Sequence, residues 1–215
     1  MKKKDKLILI YRIALLVIII VGIILNFKAR DKAWYLVLSY YTLQSNIIVA
    51  LFLMLEIINT FKPIKIFKEE RRYQFLKGMI TLIILITGLI FAILLSSYVK
   101  SWHGIRLASS YILHYICPSM VLIDFLFFDD LTTKLSSKMN ILWFIYPLSY
   151  YIFGVLRVLY LDGFTPYPFM AVQILGPLKS IATLVGLVGI FYLLSLILIL
   201  AKNKISKKSI TASNN

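Results

Sequence analysis

The sequence has a single cysteine, Cys117, in 215 residues. One thiol excludes an internal disulfide. Histidine is nearly as scarce: His103 and His114 are the two present, too few beside Cys117 for a Cys/His zinc site. No metal and no cofactor is expected. Acidic residues number nine against 24 Lys and Arg, and charged residues make up only 15% of the chain. Neither an internal repeat nor a heptad pattern is found. The net charge of +15 would suit nucleic acid, but the basic residues sit in short loops and tails between apolar blocks. There they hold helix ends at a membrane surface, so anionic lipid headgroups are the expected partner and nucleic acid is not.

What the sequence has in abundance is apolar length. Hydrophobic residues are 60% of the chain and the mean hydropathy is +0.87. A soluble domain of this size has no core large enough to hide that surface. Six apolar blocks are each long enough to cross a bilayer: 7–27, 34–60, 76–99, 109–128, 141–161 and 179–201. The expected fold is an all-α integral membrane bundle of six transmembrane helices over 1–201, followed by a polar, disordered tail over 202–215. The basic start, Met1 to Lys6, looks like the opening of a signal peptide, but no small-residue cleavage site follows. The run Leu7 to Phe27 is therefore read as a retained first helix. With the N-terminus inside, sixteen Lys and Arg fall in inner segments and six in outer ones, which places both termini in the cytoplasm. Short loops and abundant Ile and Lys fit a multi-pass protein of a bacterial plasma membrane.

Ionisable and polar residues inside apolar blocks are costly and face the bundle interior. Arg12 lies about 8 Å from the start of the first block, and Glu56 and Asp124 about 6 Å from the inner ends of the second and fourth. The shared depth predicts an ion cluster of Arg12 with Glu56, Asp124 or both. It either pins three helices together or lines a path for protons or ions. A second polar set sits nearer the outer side. Thr42, Ser45 and Asn46 share one helical face, which Ser39 extends. Thr42 is about 12 Å below Trp34, His114 about 8 Å below Ser109 and Arg157 about 8 Å below Asp162, within one helical turn of each other. Pro118 has no N–H for the His114 carbonyl and favours a kink there. Between the last two blocks, Asp162 to Phe169 carries Pro166 and Pro168 and reads as a stiff lid or an interfacial anchor.

Three stretches carry a resemblance: Tyr41-Thr42, His114 with Pro118 and Asp124, and Tyr167-Pro168-Phe169 with Gly176-Pro177. In order and spacing they resemble the androgen-induced membrane proteins, six-span hydrolases of fatty acid esters of hydroxy fatty acids. The motifs Thr42-x-x-Ser45-Asn46 and Leu113-His114-Tyr115 are similar to those of the family's bacterial relatives. The resemblance implies a threonine nucleophile at Thr42, a histidine base at His114 and an acyl-lipid ester as substrate. Ser45, Asn46 and Arg157 are then the candidate oxyanion or substrate-binding donors. No orienting carboxylate is evident: Asp124 is ten residues, about 15 Å, along the helix from His114. Two other readings stand beside this one. One is a small transporter or channel for an anion near Arg157. The other is a non-catalytic scaffold in which the same residues only pack helices.

Overall fold

The computed structural model describes residues 2–30, 33–99, 101–129, 134–136 and 138–213. Among them every regular element is helical. Six helices are long and apolar enough to cross a membrane: α1 (Lys3–Lys28), α2 (Tyr41–Phe61), α3 (Glu70–Leu95), α4 (Gly104–Phe128), α5 (Asn140–Tyr160) and α6 (Val172–Ser206). They fall into two compact units, one of residues 1–135 with 201–215 and one of residues 136–200.

In the first unit α1 packs on α2 and α4, and α3 packs on the same two helices. α1 buries only Leu15, Ile19, Gly22 and Asn26, a stripe at four- and three-residue spacing. Ile13, Val17, Ile20 and Ile24 around it remain exposed, as lipid-facing side chains would be. Gly22 lets α1 approach α4 closely: a Cβ there would lie 2.6 Å from Ile112 and 2.7 Å from Leu113. The buried core gathers Leu15 and Ile19, Val49 and Leu53, Ile80 and Ile84, and Cys117 and Val121 from the four helices.

Three elements depart from the sequence reading. The second block is not continuous: a short helix Trp34–Leu38 ends, Tyr40 is extended, and α2 starts at Tyr41. Polar side chains make the break. The Ser39 hydroxyl donates back to the Tyr35 carbonyl at 2.9 Å, and the Gln44 amide donates to the Leu38 carbonyl at 3.0 Å. Thr42 is thus the second residue of its helix rather than two turns inside it, and Ser39 lies outside that helix. α4 begins at Gly104, five residues before the expected start at Ser109. Finally, the polar tail does not fray at Lys202. Helix continues through Ser213, and near its start the wholly buried Lys202 ammonium donates to the carbonyls of Phe125 at 2.5 Å and Asp129 at 2.7 Å.

The second unit holds α5 and most of α6. Its segment Tyr167–Ala171 turns back with Met170 fully buried, and Gln173 donates to the Val158 carbonyl at 2.9 Å. α6 breaks at Gly176, whose φ of 75° suits glycine, before Pro177.

Candidate active site

Pro118 organises the site. In the turn Ile112–Ile116 the chain adopts π geometry, and the Cys117 N–H donates to the Ile112 carbonyl. The next partner in that register, for the Leu113 carbonyl, would be the N–H that Pro118 lacks; in α register the same proline leaves the His114 carbonyl without its donor. The Leu113 carbonyl finds a substitute. The Asn46 amide of α2 donates to Leu113 O at 3.3 Å. The backbone of Gly88 in α3 lies against His114 O, so close that a Cβ would stand 2.8 Å from it and 3.3 Å from Pro118. The irregular turn therefore holds α2, α3 and α4 in register around His114. Gly88→Ala should force these helices apart, cost about 1–3 kcal/mol and lower the melting temperature in detergent. A variant as stable as wild type would mean that the contact does not set helix spacing.

The register places His114 Nε2 3.0 Å from Thr42 Oγ1, with both residues buried. The other ring nitrogen decides the proton inventory. Nδ1 is 2.8 Å from the backbone carbonyl of Ser110, and a carbonyl only accepts, so Nδ1 carries the proton. In the neutral ring Nε2 is then an acceptor, and the Thr42 hydroxyl donates to it. Phe91 stacks on the imidazole at 3.9 Å between centroids and 21° between planes, fixing the ring's orientation. It sits in a second π turn, Phe91–Leu95, at the end of α3. The ring is thus held by a main-chain carbonyl one helical turn back, invisible to any reading of side-chain types.

Ser45 and Asn46 surround the same point. Asn46 donates to the Thr42 carbonyl at 2.7 Å as well as to Leu113. Ser45 Oγ lies 3.0 Å from the Thr42 carbonyl and 2.7 Å from the Thr87 hydroxyl of α3. Both side chains brace the start of α2. Arg157 belongs to the second unit, where its guanidinium pairs with Asp162 and lies over Phe164 at 4.8 Å. That hydrogen bond holds the exposed Asp162 carboxyl below its usual range.

Beside His114 lies a cavity of about 270 Å3. It opens between the irregular end of α3 and the first half of α4, and its walls include Phe91, Ser96, Trp102, Leu107, Ser110 and Tyr115.

The ion cluster lies elsewhere in the same unit. Arg12 meets Asp124 at 2.9 Å, Asp129 at 2.8 Å and Glu56 at 3.4 Å. Lys77 of α3 touches all three carboxylates, Glu56 at 2.8 Å and Asp129 at 2.6 Å among them. The Tyr73 hydroxyl bridges Glu56 at 2.5 Å and Asp129 at 2.8 Å. One oxygen from each acidic residue falls within 4.8 Å of the others, a spacing that suits a cation. The Lys77 ammonium is that cation, with Arg12 beside it. Burial opposes the charge on Asp129, but Lys77 and Arg12 outweigh it and hold the carboxyl below its ordinary range. Sequence reading singled out Arg12, Glu56 and Asp124 for this cluster and passed over Lys77, Tyr73 and Asp129. The signal for Lys77 was its spacing: one residue into the third apolar block, three helical turns before Gly88 on the same helix.

Compared with known proteins, the chain matches no family model, no curated protein and no solved structure. The resemblance noted above rests on its quoted motifs alone.

Proposed function

We propose that the chain is an intramembrane hydrolase of acyl-lipid esters, with Thr42 as nucleophile and His114 as general base. The observation that carries this reading is the 3.0 Å contact from Thr42 Oγ1 to an Nε2 left as acceptor by the Nδ1–Ser110 bond. A threonine hydroxyl is a weak nucleophile until a positioned base takes its proton. Here Oγ1 attacks the ester carbonyl as its proton passes to Nε2. The imidazolium then returns that proton to the leaving alcohol, and the acyl group stays on Thr42. Water attacks the acyl-threonine, gives its proton to Nε2, and the proton returns to Oγ1 as the acid leaves. Ser110 O stabilises the imidazolium through Nδ1–H. The positive end of the α2 dipole lies at Thr42 and favours negative charge developing there. Ser45 and Asn46 keep the nucleophile's turn in place.

The membrane setting suits the substrate. Six apolar helices make this a multi-pass protein in our reading, so acyl chains reach the site without leaving lipid. The charge asymmetry of the loops favours both termini in the cytoplasm and Thr42 toward the outer leaflet of a bacterial plasma membrane.

The test is covalent labelling. Purified protein in detergent is treated with a long-chain fluorophosphonate and digested for mass spectrometry. One adduct is expected, on Thr42, and none in Thr42→Ala. Unlabelled wild type, or equal labelling of both proteins, removes the hydrolase reading in favour of a packing role.

A further inference from the structure

Ser110 makes two contacts with the same imidazole. Its carbonyl accepts from Nδ1–H at 2.8 Å, and its hydroxyl oxygen lies 3.3 Å from the same nitrogen. Since Nδ1 already carries a proton, Ser110 Oγ can meet it only as an acceptor. The hydroxyl's own proton then has no acceptor among the described residues, although Ser110 is 2% exposed. A buried O–H with no partner is costly. Ser110 also lines the cavity of about 270 Å3, and that is where an acceptor can stand. The walls mix aromatic rings, Phe91, Trp102, Tyr111 and Tyr115, with the polar side chains of Ser96 and His103. The volume falls at the small end of ligand pockets, about right for one segment of an amphiphile rather than a whole lipid. Thr42 and His114 are not in its walls, so this is a place apart from the attacked bond.

We propose that this cavity is a binding subsite for an apolar chain bearing a carbonyl or ester oxygen, with the Ser110 hydroxyl as its donor. Such a ligand completes a chain of hydrogen bonds from its own oxygen through Ser110 Oγ to His114 Nδ1 and, across the ring, to Thr42. Each bond polarises the next, so filling the cavity makes Oγ a better acceptor for Nδ1–H and Nε2 a better base. The effect on Nε2 rests on the hydrolase reading; the binding does not.

The experiment uses the full chain in detergent and two probes, a long-chain methyl ketone and the n-alkane of equal length. Binding is read from Trp102 fluorescence, taken as the difference between wild type and Trp102→Phe. The ketone should bind about tenfold tighter than the alkane, the contribution of one hydrogen bond. Ser110→Ala keeps the carbonyl that fixes His114 and should erase the preference. Leu107→Phe, which narrows the cavity, should weaken both probes. The preference should persist in Thr42→Ala. Equal binding of ketone and alkane to wild type, or a preference that survives Ser110→Ala, overturns the proposal. A ketone preference in a protein that the fluorophosphonate fails to label upholds the subsite and removes only the hydrolase.

Discussion

Thr42→Ala and His114→Ala should each lower hydrolysis of an acyl-lipid ester by about 10³-fold or more, and the double variant should be no slower than either single one. The non-additivity is the informative part. Oγ1 and Nε2 are joined by one 3.0 Å contact, so either change removes the same proton transfer. Residues that act as a unit lose their joint contribution once. Thr42→Ser keeps the hydroxyl and should retain activity within about tenfold, since the lost methyl affects positioning and not chemistry. The assay is product release by the reconstituted protein at saturating ester. Multiplying effects in the double variant would show that the two residues act separately, and the dyad would be abandoned.

Lys77→Met should be the most destabilising single change in the first unit. Lys77 is one of two cations shared by Glu56, Asp124 and Asp129, and both it and Glu56 are 3% exposed. Removing one member of a buried ion network leaves charge without compensation and costs about 3–5 kcal/mol. Lys62→Met, on an exposed loop, should change stability by less than about 0.5 kcal/mol. Adding Glu56→Gln to Lys77→Met should recover part of the loss, because it removes one of the stranded charges. Thermal unfolding in detergent compares the three. Lys77→Met melting together with Lys62→Met would reduce the cluster to a set of solvated pairs.

Within this cluster Asp129, taken by itself, gives stability a pH dependence of definite sign. Asp129 ionises below its ordinary range in the folded protein. Its contribution is therefore full above the unfolded carboxylate value of about 4 and is lost as pH falls through the lower folded value.

Much of this architecture was legible beforehand because apolar length restricts it. An apolar run of about 20 residues has few options other than a spanning helix. Such rules locate the six helices and mark Arg12, Glu56 and Asp124 as residues that need partners. They also mark Thr42 and His114 as polar groups facing inward, and Pro118 as a source of irregularity. Depth counted along ideal helices was less dependable. It assumed continuity through Ser39 and Tyr40, where side chains bond the backbone and end a helix, and it started α4 five residues late.

The sequence by itself determined the helical class, the six apolar spans and the identity of the polar residues inside them, because hydropathy and chain length act locally. Only the tertiary structure decided who meets whom. The Nδ1 proton of His114 is set by a main-chain carbonyl, Gly88 stands against the main-chain carbonyl of His114 on another helix, and Lys77 fills a space bounded by three carboxylates. Each of these depends on the rotation and height of one helix against its neighbours, which side-chain packing fixes and no single helix encodes.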